Sequence, residues 1–215
     1  MSPGTPRPAP GARTRMLSGM TDHAGGDCGF TVVEILFALV LGTTVVSVAI
    51  PSTRDAVDEI RTATAARYLA GRLAEARVSA VTRSACVALR FEPSGSDYRY
   101  GAYTDGNGNG VRTQDIALGL DVPASGQEAL KDKFPDVTFG LMNGYPDADG
   151  VGGTGGDGVR IGTARIATMS PDGTATAGTL YLHGRRSQYA VRILGTTGRM
   201  RVLQYKPASR TWVER

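Results

Sequence analysis

Gly29-Phe30-Thr31-Val32-Val33-Glu34-Ile35-Leu36-Phe37-Ala38-Leu39-Val40-Leu41-Gly42-Thr43-Thr44-Val45-Val46-Ser47-Val48-Ala49-Ile50-Pro51 is the stretch from which the rest of the chain can be read. Residues 30–50 give 21 positions with one ionisable side chain, Glu34. As a helix rising about 1.5 Å per residue, they are long enough to cross a hydrocarbon core of about 30 Å. A carboxylate at such a place costs about 2.5 to 3.5 kcal/mol to insert, so it is kept for a partner or a function. A secretory signal peptide cut after Ser47-Val48-Ala49 and a plain single-pass anchor are the competing readings, and neither has a use for the acid.

The helical pattern continues past Pro51, which removes one backbone hydrogen bond and is expected to kink or loosen the helix locally. The surface then becomes charged, from Arg54 and Asp55 through Asp58, Glu59 and Arg61 to Arg83. Val57, Ile60, Thr64 and Tyr68 form one stripe at helical spacing, and Leu69, Leu73, Ala76 and Ala80 a second, offset around the helix. One stripe is expected to meet neighbouring molecules and the other the chain's own globular part. The helix is predicted to run to about Arg83.

Upstream, residues 1–27 hold Pro3, Pro6, Pro8 and Pro10 with Arg7, Arg13 and Arg15, a composition that cannot bury a core. The three arginines outnumber Asp22 and Asp27 and place this end in the cytoplasm by the positive-inside rule.

Gly29-Phe30-Thr31-Val32-Val33-Glu34, an apolar run and Pro51 together resemble the amino-terminal signature of type IV pilins and pseudopilins. That resemblance implies that a prepilin peptidase cuts between Gly29 and Phe30 and that Phe30 becomes N-methylated. It also implies that Glu34 pairs with the amino terminus of a neighbouring subunit, because an amine and a carboxylate in lipid neutralise each other only where they meet. Residues 1–29 are then a cleaved cytoplasmic leader, 30–53 the transmembrane and assembly helix, 54–84 its amphipathic continuation and 85–215 a β-rich head. Leaders in this family are generally short, and a start at Met16 or Met20 would give a more usual length.

After the helix the apolar period changes from helical to alternating. Strands are predicted over residues 86–92 and 98–103, joined through Pro93-Ser94-Gly95-Ser96, and over 137–141, 159–169, 179–183, 188–194 and 199–206. The fold class is α+β, a long amino-terminal helix packed on an antiparallel β-sheet head. Met169-Ser170-Pro171-Asp172-Gly173-Thr174, Tyr189-Ala190-Val191-Arg192 and Gly198-Arg199-Met200-Arg201 narrow the resemblance to the minor pseudopilin family GspH/FimT. Members of that family sit near the tip of a type II secretion pseudopilus or prime type IV pilus assembly. The partners so implied are the prepilin peptidase, other pilins or pseudopilins and the inner membrane, with the head periplasmic.

Composition bounds the rest. The 186 residues after Gly29 have room for one membrane helix and one domain. The net charge of +4 is unevenly spread: from Gly178 onward eight Lys or Arg face one acid, Glu214. Beyond the leader Cys86 stands alone, which excludes an internal disulfide, and its strand pattern makes it a small buried hydrophobe. His183 is the one histidine past the leader and is read as a surface residue at a strand end. With no metal-ligand spacing and no partner set for a triad, no enzyme is expected.

Two further stretches suggest ligands. Asp105-Gly106-Asn107-Gly108-Asn109-Gly110 opens like a calcium loop, with oxygen-bearing side chains at alternate places and glycine at the sixth. Asp115 stands eleventh and Ile116 occupies the twelfth place, where a bidentate acid belongs, so a glycine-rich turn is favoured over a calcium site. Residues 147–158 are glycine-rich without the Lys-Ser or Lys-Thr of a phosphate loop and are read as a mobile surface loop. Arg199 and Arg201, two apart, share a strand face, and Lys206, Arg210 and Arg215 continue the charge. Gly198-Arg199-Met200-Arg201 resembles the basic motif of FimT-type members that bind DNA, against the plainer reading of an edge strand guarded by charge.

Overall fold

The computed structural model describes residues 31–148 and 155–215, with the side chains of residues 45–52 outside that description. The expected leader, the cut between Gly29 and Phe30, and residues 149–154 of the glycine-rich insertion lie outside the described residues. Two compact units divide the chain, Met1–Val45 and Val46–Arg215. Helix α1 is Val32–Arg83 and passes through Pro51.

In the first unit, Thr31 caps α1: its Oγ1 accepts the Glu34 amide at 3.2 Å, and its carbonyl accepts the Ile35 amide at 3.1 Å. Glu34 therefore stands in the first turn, where the helix dipole favours an acid. Val32, Val33, Leu36, Phe37, Leu39 and Val40 are all more than half exposed. The Thr43 and Thr44 hydroxyls donate back to the Val40 and Leu41 carbonyls at 2.9 and 2.8 Å, so these polar groups need no water. Among the described residues no helix is long and apolar enough to cross a membrane. Phe30 and the side chains of residues 45–50, which belong to the apolar run, are not among them.

In the second unit the rest of α1 is followed by β1 (Val87–Ser94), β2 (Asp97–Thr104), α2 (Thr113–Ala117), β3 (Val122–Pro123), β4 (Glu128–Ala129), α3 (Leu130–Lys133) and β5 (Thr138–Phe139). After these come β6 (Val159–Arg160), β7 (Ile166–Met169), β8 (Gly178–His183), β9 (Gln188–Leu194), β10 (Arg199–Lys206) and β11 (Thr211–Glu214). They build two antiparallel sheets. One has the order β3-β2-β1-β7, with β4 also on β2; the other runs β11-β10-β9-β8-β5, with β6 also on β8. The fold is α+β.

Both sheets bury their inner faces on α1. Ala65, Ala66, Leu69, Leu73 and Ala80 have no exposed surface and share a core with Leu89 and Phe91 of one sheet and Leu180, Leu182 and Val191 of the other. Five alanines of α1 in this core, Ala63, Ala65, Ala66, Ala76 and Ala80, let the strands approach the helix closely; each large side chain buried adds about 1.5 to 3 kcal/mol. The stripe of Leu69, Leu73, Ala76 and Ala80 is thus the inward one. Val57, Ile60 and Thr64 of the other stripe are exposed, but Tyr68 turns to the head, its ring 5.6 Å from Phe134 and its hydroxyl donating to Glu128 at 2.6 Å. The outward stripe continues instead through Arg67, Gly71, Val78 and Val81.

The β1–β2 hairpin closes through Gly95 and Ser96 alone, Gly95 at φ 64°, since a two-residue turn needs positive φ. The single strand expected over 159–169 is two, β6 and β7, on different sheets; the chain turns between them with Gly162 at φ 50° and Arg165 at φ 52°. Phe139 of β5 meets Phe91 and Tyr100 of the first sheet edge-on at 5.8 and 6.2 Å, which joins the two sheets. Cys86 is half-buried just before β1 rather than within it, beside the small cluster of Ala88, Val111 and Ile166.

Candidate functional site

The outer side of α1 is the first candidate. In the second unit Ile60, Val78 and Val81 are 50% to 68% exposed on the side away from the sheets, along a helix whose inner side is fully buried, and Val57, 44% exposed, stands at the margin of that side near Asp136 and Arg185. Between Ile60 and Val78 the same side carries Thr64, Arg67 and Gly71, so the exposed apolar side chains fall at its two ends, where none of them packs into the core of the head.

The turn between β8 and β9 is clamped onto α1 by Asp58. Its Oδ1 accepts the Arg185 amide at 2.8 Å, and its Oδ2 accepts the Arg186 amide at 3.1 Å, the Ser187 amide at 3.0 Å and the Ser187 hydroxyl at 2.7 Å. Gly184 is required there, because a Cβ would stand 2.2 Å from Asp58 Oδ1. Burial alone would push the Asp58 carboxyl up, but the bonds from Arg185, Ser187 and Arg186 outweigh it and hold the group below the ordinary carboxylate range. Nothing in the sequence around Asp58 announces this; its donors lie 127 to 129 positions away.

Arg77 performs a similar task further along α1. Its Nε donates to the Gly173 carbonyl at 3.1 Å, and a Cβ on Gly198 would stand 2.2 Å from that carbonyl's oxygen and 2.7 Å from the guanidinium. The Pro171-Asp172-Gly173 turn and the β9–β10 turn are thereby stacked at one arginine. Tyr68, Arg72 and Lys133 converge on Glu128, with Arg72 at 3.2 Å and Lys133 at 2.6 Å. Burial raises the Glu128 carboxyl, and the Lys133 and Tyr68 hydrogen bonds with the Arg72 charge bring it below its usual value.

The glycine-rich turn over residues 105–110, which opens like a calcium loop, is drawn together by its own backbone. Asp105 accepts the amides of Asn107 (3.1 Å), Gly108 (2.8 Å) and Gly110 (2.7 Å). Burial pushes its carboxyl up, and these bonds outweigh that and lower it. Asp121, which was not singled out from the sequence, is almost fully buried and accepts the Gly106 and Arg112 amides at 3.2 and 2.8 Å. Asn107 donates to Asp115 at 3.3 Å, while the Asn109 amide bonds the Asn107 side chain. Among the described residues no group of three or more His, Cys, Asp and Glu side chains is placed to hold a metal ion.

The basic residues of the carboxyl end do not form one stripe. Arg199 and Arg201 share the outer face of β10, with Arg201 directly across from Arg192 on β9. Lys206 lies on the opposite face, which looks toward α1, and its ammonium is 3.9 Å from Glu59. Arg201 is 3.6 Å from Glu214, Arg215 donates to Gln204 at 2.8 Å, and Arg210 sits in the β10–β11 turn at φ 52°. His183 is half-buried rather than on the surface: Nδ1 donates to the Gly184 carbonyl (2.9 Å) and Nε2 accepts from the Thr138 hydroxyl (3.2 Å). At the described ends of the glycine-rich insertion, Asp147 pairs with Arg160 at 2.5 Å and accepts the Tyr181 hydroxyl, and Asp157 accepts the Tyr98 hydroxyl at 2.6 Å.

No family model matches the sequence, and no curated protein is similar to it. Among solved structures, the fold is similar to that of the minor pseudopilin EpsH from the type II secretion system of Vibrio cholerae. The two are 13% identical with a TM-score of 0.41, over 67% of this chain and 94% of that one, a likeness too distant to carry an argument.

Proposed function

We propose that this chain is a minor pseudopilin of GspH/FimT type, a non-catalytic structural subunit of a type II secretion pseudopilus or a type IV pilus assembly complex. In this reading a prepilin peptidase cuts between Gly29 and Phe30, Phe30 is N-methylated, and residues 30–50 anchor the protein in the inner membrane with its head in the periplasm. Glu34 then meets the amino terminus of a neighbouring subunit, where the two charges neutralise each other.

The observation that carries the reading is the two-sidedness of α1. One side is spent on the head's core, while the other leaves Ile60, Val78 and Val81 open to something outside the chain. The signature Gly29-Phe30-Thr31-Val32-Val33-Glu34 supports it at the level of sequence. Mass spectrometry of the protein recovered from membranes is the test. A mature chain beginning with N-methylated Phe30 is expected; a chain beginning at Ile50, or one with its leader intact, overturns the proposal. Glu34→Ala is expected to be processed normally and to be lost from the assembled filament.

One observation favours a second reading, a minor pilin that binds DNA for uptake. Arg192, Arg199 and Arg201 lie on the outer face of neighbouring strands β9 and β10, a cluster of positive charge of the kind that attracts a phosphate backbone. Lys206, facing α1, falls out of that surface. Duplex DNA retained at low salt, released steeply as salt rises and lost in Arg199→Ala/Arg201→Ala, favours uptake; no shift at low salt removes it.

A further inference from the structure

A cleft of about 450 Å³ opens in the second unit between the early turns of α1 and the head, lined by Thr53, Arg54, Val57, Arg61, Asp136 and Arg185, with Asp58 at its back. We propose that it binds the phosphate of an anionic phospholipid headgroup.

Three arginines line one space, two of them held in place by Asp136. Arg54 and Arg61 are seven residues apart, two turns of α1, so they project from the same side with Val57 between them. Arg185 arrives from the β8–β9 turn, whose backbone Asp58 clamps to the helix through three amides. Asp136, at φ 67°, spaces two of the guanidinium groups, 3.2 Å from Arg61 and 3.3 Å from Arg185. Arg186 and Asp55 pair beside the cleft at 2.7 Å and cancel. Asp58 is satisfied by backbone amides and Asp136 is shared by two arginines, and Arg54 takes no part in either pair. The residual field is positive, and guanidinium is the side chain best shaped to take phosphate oxygens in pairs.

The ligand class follows from position and lining. Arg54 stands four residues beyond Ile50, the last residue of the apolar run, so an anchored chain carries the cleft at headgroup level. The volume is that of a small-molecule site and exceeds what a bare phosphate fills. Exposed Val57 gives an apolar wall that suits a glycerol backbone beside the phosphate.

The proposal rests on the membrane anchor of the proposed function, and the two fail separately. Extraction of the chain from membranes at alkaline pH tests the anchor, and lipid selectivity tests the cleft. The full chain in neutral detergent is titrated with phosphatidylglycerol, phosphatidylcholine and inorganic phosphate and read by native mass spectrometry. Retention of phosphatidylglycerol at least tenfold over phosphatidylcholine is expected. Arg54→Gln/Arg185→Gln is expected to lower it about tenfold or more, since it removes charge-assisted contacts to the phosphate, and Arg112→Gln/Lys131→Gln, which removes the same charge outside the cleft, is expected to leave it within twofold. Equal retention of the two lipids, equal loss in both double variants, or displacement of the lipid by equimolar inorganic phosphate overturns the assignment.

Discussion

Two aspartates do the same chemistry at opposite ends of the sequence scale. Asp58 and Asp105 each accept three backbone amides, and in each the hydrogen bonds overcome burial and lower the carboxyl below its ordinary value. The amides of Asp105 lie two, three and five residues ahead of it, whereas those of Asp58 lie more than a hundred residues away on another element. One carboxylate shapes a loop and the other fastens the head to its helix. Chain separation, not bond count, therefore sets what each is worth, because a local loop reforms by itself while a long-range tie holds two elements in register.

The largest effect that separates them is expected from Asp58→Ala. It leaves three amides and the Ser187 hydroxyl to water and frees the β8–β9 turn from α1; several charge-assisted bonds acting together, partly replaced by solvent, amount to about 3 kcal/mol. Thermal unfolding of the full chain in detergent is expected to fall by about 10 °C. A loss no greater than that of Asp105→Ala would end the distinction.

Acid separates them next. Both folded carboxyls lie below the unfolded reference of 3.8, so their stabilisation is complete above that pH and is lost as pH falls through the folded values. The wild type is expected to unfold progressively below about pH 4. Asp58→Asn is expected to flatten that profile more than Asp105→Asn does; parallel flattening would mean that the two ties are of one kind.

The same contrast explains what could be read from the sequence. The α+β class, the end of α1 at Arg83 and the bounds of β9 and β10 followed from apolar period and glycine punctuation, which are local signals. The Asp105 turn was visible because Asp105 and the amides it accepts fall within six residues, whereas Asp121, which ties the loop from outside that run, was not. Asp58, Arg77 and Glu128 were not, since each is an ordinary surface residue of a charged segment until the fold brings its partners to it. Tyr68 fits the outward stripe by spacing and is claimed by the head because Phe134 and Glu128 await it. Strands β3, β4 and β11 are two to four residues long and exist through their neighbours' ladders, below the length at which alternation can be recognised. Lys206 was grouped with Arg199 and Arg201 by proximity in the chain, although an odd separation in a strand puts it on the other face.

A smaller effect is expected from Asp105→Ala, about 1 kcal/mol, because the freed amides of Asn107, Gly108 and Gly110 belong to an exposed loop and water can take over. Faster amide hydrogen exchange confined to residues 105–121 is the expected readout; exchange spreading into β8 and β9 would mean that the Asp105 loop, like Asp58, holds the head as a whole.

The smallest effect is expected from calcium. An ion at this loop has to compete for the Asp105 oxygens with three amides that already hold them, and Ile116 supplies no closing carboxylate. Calorimetry at millimolar calcium is expected to give no saturable heat. A saturable heat abolished by Asp115→Asn would show instead that the amides are a preformed cradle and that Asp105, Asn107, Asn109 and Asp115 close around a cation. The local carboxylate would then carry a function that the long-range one lacks.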